Sequence, residues 1–467
     1  MRPPTSNGIR RMPMRRLFSP VILGFTFTAT VTGCGDFLTG PKLQDDPNNP
    51  TAASNNALFV ASQVNISTQL ESRLARTICI WMQGCAGQTQ YLSLGSYSVG
   101  EDDYYINWSA FYGGGGLLDL RTIQTRALES GDSVFWGTAA VLEAYVIGTT
   151  ADIWGDVPYS EAANPKFPTP KPDPQQNVFA AVQAKLDSAI TFLAATGPRN
   201  AGPGINDLVY EGDPALWTAL AHTLKARYYL HVARRDPSAY AKALAEATNG
   251  IQPDGDYVVA LSGQSATSSD LWNVFQSIFP GYVVAGAFMV NTLKGPPVDP
   301  RLPLYFAPNG NNDFVGADPG VPGSPELLST LSATRLDGAF PQPFVTWEEN
   351  QLIMAEASYQ VDHSDGASIA RNALQAVWDA NGVTLPMPTP GTPGPTDPLL
   401  VAIMTEKYIG NFQNLEAWQD WKRTGIPNLQ PAPGGVIPRR LVYPLSERNA
   451  NPNIPGAGPA RNWNDPP

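Results

Sequence analysis

Asp152, Trp154, Asp156 and Tyr159 fall within eight residues of the stretch ADIWGDVPYSEA, a density of carboxylates and aromatic rings that could do chemistry. Two carboxylates can serve as the acid and base of glycoside hydrolysis if they flank a bond at about 5 Å or about 6.5–9.5 Å. With 41 acidic residues in the chain some pair will always satisfy that spacing, so Asp152 with Asp156 is a weak catalytic signal. The four residues have an equally simple structural use, Trp154 and Tyr159 filling a core while the acids accept loop N–H groups. A Gly-x-Ser-x-Gly elbow and a phosphate loop are both missing from the sequence. Its three histidines, His222, His231 and His363, lack zinc spacing; the first two are nine apart, which a straight helix cannot bring to one metal, so each is expected to be a packed or surface imidazole. The expectation is a chain with no catalytic residues, no metal and no cofactor.

The element that positions this stretch is legible. From Val134 to Thr150 nearly every residue is apolar or small, with Glu143 the only charge, and a helix apolar all round belongs in an interior. Asp132 or Ser133 can cap its start, and Gly155 with Pro158 ends it. Further helices are expected over 53–83, at VFAAVQAKLDSAITFLAA, at DPALWTALAHTLKARYYLHVARR, over 236–249, and in three C-terminal segments. The first of those three has Thr346 and Glu349 at capping-box spacing. Pro at 45 and Gly at 42 of 467 residues demand long stiff loops, among them the low-complexity MPTPGTPGPT. Residues 251–345 read as an irregular, variable region.

Aromatic residues are the candidates for binding. Tyr104, Trp108 and Phe111 share a helical stripe and read as core. Trp272, Phe275 and Tyr282 in the variable region, with Tyr91 and Tyr97 in a Tyr/Ser/Gly-rich loop, sit where helical periodicity is missing. A sugar offers apolar ring faces and a rim of hydroxyls, which such rings and nearby polar groups complement. Each of the five can equally pin its own loop.

The N-terminus reads as an address. Arg10, Arg11, Arg15 and Arg16 precede an apolar run of signal-peptide length ending at Val31-Thr32-Gly33-Cys34. Small residues before a cysteine resemble the bacterial lipobox, which would make Cys34 a lipidated anchor; an ordinary secretory signal with an incidental cysteine is the alternative. Losing residues 1–33 lowers the formal charge from −11 to −16, an acidity that argues against nucleic acid as a partner. Cys79 and Cys85, six apart, could be bridged only if the backbone turns near Gly84, so two buried thiols are the preferred expectation.

The string DIWGDVPYSEA closely resembles the signature of SusD/RagB-type outer-membrane lipoproteins, and further blocks follow in the family's order. They include Cys34 with its Asn-Pro-rich tether, Asp173–Ala189, Gly212–Arg227, DPRLPLYF, EAWQDWKRTGIP and PRRLVYPLSERNAN, spanning Cys34 to Asn451. The resemblance implies an all-α fold of tetratricopeptide-like helix pairs with long irregular loops and little β structure. It implies a signal peptide at 1–33, a lipidated tether at 34–54 and one SusD-like domain over 55–467 with a loop-rich region at about 251–345. Asp152, Trp154, Gly155, Asp156, Pro158, Tyr159, Arg423, Arg439, Arg440 and Tyr443 are then family-motif residues with structural roles. The implied function is a lipid-anchored binding protein on the extracellular face of the outer membrane. It would capture glycans or other oligomeric nutrients for a SusC-like TonB-dependent transporter, the alternative being an α-helical glycoside hydrolase.

Overall fold

The computed structural model describes residues 53–456 apart from Ala260 and Ala266, so the expected signal peptide, Cys34 and nearly all of the expected tether lie outside the described residues. Helices of eight residues or more are labelled α1 (Asn55–Glu71), α2 (Arg73–Trp81), α3 (Tyr105–Tyr112), α4 (Leu117–Ser130), α5 (Ser133–Trp154), α6 (Gln175–Leu193), α7 (Pro214–Ala233), α8 (Ala239–Ala247), α9 (Leu271–Ile278), α10 (Trp347–Val361), α11 (Gly366–Ala380), α12 (Pro398–Gly410) and α13 (Glu416–Thr424). The fold is all-α. Among the described residues β structure amounts to four two-stranded antiparallel pairs and one isolated bridge between Gly286 and Ala317.

The predicted central helix is α5. Asp132 caps it by accepting from the Phe135 N–H at 3.0 Å, and Gly155 ends it at a φ of 86°. It is long and apolar enough to cross a membrane, yet the whole of that apolar window is buried within the protein. α4 and α6 pack against it, and neighbour follows neighbour through α6–α7, α7–α8, α8–α10 and α10–α11. Gly148 lets α5 approach α7: a Cβ there would lie 2.2 Å from the Tyr228 ring. The main hydrophobic core runs from Phe59 to Ile454 through these layers and contains Tyr104, Trp108 and Phe111, the aromatic stripe.

Three local expectations are corrected. Ser72 breaks the helix expected over 53–83 into α1 and α2, its hydroxyl accepting from the Leu74 N–H at 3.3 Å. The Thr346 hydroxyl accepts from the Glu349 N–H at 3.0 Å, but the Glu349 carboxylate turns to Arg227, so half of the capping box is spent elsewhere. The region 251–345 holds α9 and shorter helices at Ala287–Leu293 and Leu302–Tyr305; their periodicity is hidden because each is under three turns long.

Cys79 and Cys85 form a disulfide rather than two thiols. α2 stops at Trp81, Gln83 takes a φ of 57°, and the reversed chain enters the strand Cys85–Gly87, which pairs with Val283–Ala285. The turn that spacing alone left open is therefore made, and the bridge fastens this strand to α2.

Candidate functional site

Two constellations stand out. The first is a connected set of rings: Tyr91 with Phe275 at 5.0 Å between centroids, Phe275 with Phe279 at 5.4 Å, Phe279 with Tyr282 at 5.2 Å, and Tyr282 with Tyr91 at 6.3 Å. Phe275 is the buried member, with the Arg76 guanidinium 4.2 Å from its centroid. Tyr91 and Tyr282 are half-buried, and Phe279 is 40% exposed.

Local sequence fixes these rings. α9 carries Phe275 and ends at Ile278; the chain then turns through Phe279-Pro280-Gly281-Tyr282, closed by the Tyr282 N–H donating to the Phe279 carbonyl at 3.3 Å. Proline at the second position and glycine at φ 76° at the third are the residues of a type II turn, so the Phe279 and Tyr282 rings are set by backbone chemistry. Val283 pairs with Gly87, whose hydrogen position is taken up by the backbone: a Cβ at Gly87 would meet the Tyr91 carbonyl oxygen at 2.0 Å. The strand pair, anchored by the disulfide, thereby brings Tyr91 to Tyr282.

Of the five aromatic residues expected to bind ligand, three enter this set: Tyr91, Phe275 and Tyr282. Trp272 is corrected. It lies in α9 with no exposed surface, so neither ring face can receive a sugar. Tyr97 sits apart from the set; its hydroxyl accepts from the Ala432 N–H at 3.0 Å and its ring packs on Gly435. Phe279 was missed by sequence reasoning, although the Phe-Pro-Gly-Tyr turn signal stood in plain view.

The second constellation is buried and charged. His231 on α7 is wholly buried, its Nδ1 3.0 Å from Asp152 and its Nε2 2.6 Å from Glu416. Burial pulls its pKa down, but the two carboxylates outweigh that and hold it up at about 9, so both histidine nitrogens carry protons at neutral pH. The packed or surface imidazole of the sequence reading is thus an ion-pair hub; His222 instead meets Glu246 at 2.7 Å nearer the surface. Asp152 is committed to this hub, and Lys422 donates to its carbonyl at 2.6 Å. Asp156 accepts from the Gln175 N–H at 2.9 Å, and its carbonyl accepts the Tyr443 hydroxyl at 2.6 Å.

The remaining motif residues also make structural contacts. The Trp154 indole donates to the Val442 carbonyl at 3.1 Å, Pro158 accepts the Tyr112 hydroxyl at 2.8 Å, and the Tyr159 hydroxyl donates to Glu143 at 3.0 Å. Arg423 is clamped by Glu356 and Asp420, with Lys407 beside them at 3.0 and 2.9 Å. Burial opposes the charge on Asp420, yet Lys407 and Arg423 bring its pKa down to about 2. Arg439 donates to the Lys422 carbonyl and Arg440 to the Leu441 carbonyl, their guanidinium groups over Trp421 and Tyr443. Among the described residues, no group of three or more His, Cys, Asp or Glu side chains is arranged to hold a metal ion.

Similar proteins are known. Residues 47–444 match the SusD-like family whose description reads "Starch-binding associating with outer membrane". Among curated proteins none matches the chain. Among solved structures, a chitin-binding protein superposes with a TM-score of 0.76 at 22% identity, covering 89% of this chain and 100% of that one. A chitin-binding SusD homolog from Flavobacterium johnsoniae gives 0.73 at 19% identity, with 88% and 98% covered. A SusD/RagB family protein from Bacteroides thetaiotaomicron gives 0.69 at 20% identity, with 86% and 95% covered. With its family matched over most of its length and its helices superposing on those relatives, the chain belongs to the SusD-like family.

Proposed function

We propose that this protein is a cell-surface binding protein that captures carbohydrate on the rings of Tyr91, Phe279 and Tyr282. The observation that carries the reading is the preformed aromatic set, partly open to solvent and held by a type II turn, a strand pair and a disulfide. Rings fixed before binding lose little freedom when a sugar stacks on them, which favours affinity. Membership of a family described as starch-binding, and likeness to two structures titled chitin-binding, support carbohydrate as the ligand class.

In this reading Cys34 is lipidated, the protein rests on the extracellular face of the outer membrane, and it hands its ligand to a SusC-like TonB-dependent transporter. The enzyme alternative is disfavoured by the motif acids, since Asp152 is locked to His231 and Asp156 serves the backbone. Calorimetry of the purified protein against chito- and malto-oligosaccharides tests capture. Saturable binding weakened by Tyr282→Ala is expected, whereas heat exchange with none of them, or released reducing sugar, would sink the proposal. Gentle detergent extraction from the native membrane tests the partner, and recovery of the protein alone would count against it.

A further inference from the structure

Glu71 closes α1 and Asp270 opens α9, and both side chains are buried, at 2% and 0% exposure. Asp270 caps α9: its Oδ1 accepts from the N–H groups of Trp272 at 2.9 Å and Asn273 at 3.0 Å. The next N–H, that of Leu271, donates to Glu71 Oε2 at 3.2 Å. The first turn of the helix is therefore held by two buried carboxyl groups on successive N–H groups, each bearing on the other's charge. Two ionised carboxylates have only acceptors to offer, so a hydrogen bond between them requires that one of them keep a proton. Asp270 Oδ2 is buried without a donor and is the oxygen that such a proton would serve.

The charges around the pair do not neutralise it. Arg76 from α2 faces Asp270, but its guanidinium is turned onto the Phe275 ring and its Nε has no partner. Arg335, on the segment preceding the strand Pro343–Val345, acts on Asp270 as a second buried cation and spends itself on Tyr305, Phe340 and Phe412. The Tyr91 phenol lies against Arg76. Burial first, then the Asp270 charge, pushes the Glu71 carboxyl up to about 8. A helix of eight residues depends heavily on its cap, and this one carries Phe275 and leads directly into Phe279.

We propose that Glu71 and Asp270 form a proton-dependent lock on the binding platform, in which one shared proton holds the start of α9 and its loss leaves two buried carboxylates that repel and release the helix. The link to ligand capture rests on the carbohydrate reading above; the lock itself does not. As pH rises, α9 loosens, the Phe275–Phe279 pair loses its register against Tyr91 and Tyr282, and the platform loosens its hold.

Hydrogen exchange of the α9 amides, corrected for the intrinsic pH dependence, reads the lock without ligand. In the wild-type protein protection of the Trp272 and Asn273 N–H groups is expected to fall as pH passes through about 8. Glu71→Gln, whose amide keeps a hydrogen to donate to Asp270 at every pH, should hold that protection level. In parallel, affinity for chitopentaose should fall roughly fivefold from pH 6 to pH 9 in the wild type, the scale of one lost helix cap, and stay flat in Glu71→Gln. Flat wild-type protection, or an equal fall in Glu71→Gln, would overturn the lock. If protection titrates as stated but chitopentaose binds at neither pH, the lock stands and the carbohydrate reading of the platform loses its support.

Discussion

The buried charged centre and the aromatic platform use opposite chemistry. Around His231 and Arg423, four carboxylates from α5, α10 and α13 meet cations in the buried interior, and every pair except Asp420 with Arg423 joins residues far apart in sequence. On the platform, four rings lean on one another within two short segments, 91 and 275–282, with cations only at the margin. Asp152 and Arg423 bring the family signature into the first region and no signature residue lies in the second, on which the proposed ligand reading rests. Charges that must find one another across a fold tolerate few substitutions, because a partner left alone in an interior costs more than the pair contributes. Rings on a turn, in the proposed reading, answer to a ligand, and another ring or another turn would serve another ligand. Recognisable sequence therefore marks what holds this protein together, and the part that meets the outside is marked by local turn chemistry alone.

The comparison breaks first at Arg423. Replacing it with Leu strands Glu356 and Asp420 beside a single Lys407 and should cost about 3–5 kcal/mol, measured by denaturant unfolding, with ligand affinity intact in the folded fraction. A variant as stable as the wild type would show that the centre is not what holds the helices. Trp272→Ala follows at about 3–5 kcal/mol, since it empties a fully buried indole site, again without loss of capture. Weak binding at unchanged melting temperature would return Trp272 to the ligand.

His231 gives the centre a pH signature. Its folded pKa of about 9 stands above the ordinary histidine value of 6.5, so the stability it contributes is complete below about 6.5 and is lost as pH rises through about 9. Glu71 slopes the same way, because a carboxyl raised from 4.5 to about 8 favours the fold while protonated and loses that advantage across the interval. Melting temperatures from pH 6 to 10 should fall in the wild type, fall less in Glu71→Gln, and respond least in the His231→Asn, Glu71→Gln double variant. A profile rising toward pH 10 would contradict both assignments.

Much of the fold was legible, and the reasons are physical. α5 announced itself because a helix buried on all sides must be apolar on all sides, and Asp132 and Gly155 mark its ends by their own backbone chemistry. The cysteine bridge was not legible, because whether Cys79 and Cys85 meet depends on a reversal at Gln83–Gly84 that six residues of sequence do not dictate. Three of the platform residues were named from the absence of helical period, yet Phe275 lies in a helix, and the same criterion drew in Trp272, one turn earlier on the same side of that helix and without exposed surface. Periodicity over two turns finds the buried side but does not tell which of its rings reaches the platform. Phe279 could have been found by asking which residues flank Pro-Gly, since such a turn fixes its outer positions.

On the platform itself the effect should be smaller than in the centre. Tyr282→Ala removes a ring that packs on Phe279 and Tyr91 but leaves the turn, so the expected loss is about 1–3 kcal/mol of binding by analogy with stacking on nucleobases, with a melting temperature near wild type. Calorimetry and a melting curve on the same sample separate the two quantities, and a destabilised variant with full affinity would move Tyr282 into the scaffold.

The finest test falls on Tyr97, which the short helix Leu92–Gly95 separates from Tyr91 and its company. Its hydroxyl takes the Ala432 N–H, Ala432 is buried, and Gly435 leaves room for its ring, so the residue ties the 432–435 turn to the segment after β-strand residue Gly87. Tyr97→Phe keeps the ring and deletes only the acceptor. A neutral hydrogen bond of this kind contributes about 0.5–1.5 kcal/mol, so a melting point lower by a few degrees at most is expected, and oligosaccharide affinity should not move. The outcome that discriminates is the reverse one. If the melting curve superposes on wild type while affinity drops severalfold, the hydroxyl is serving a ligand, and the platform extends past Tyr91 toward the 432–435 turn; if both stay still, the Ala432 N–H has found water and Tyr97 holds its turn by packing alone.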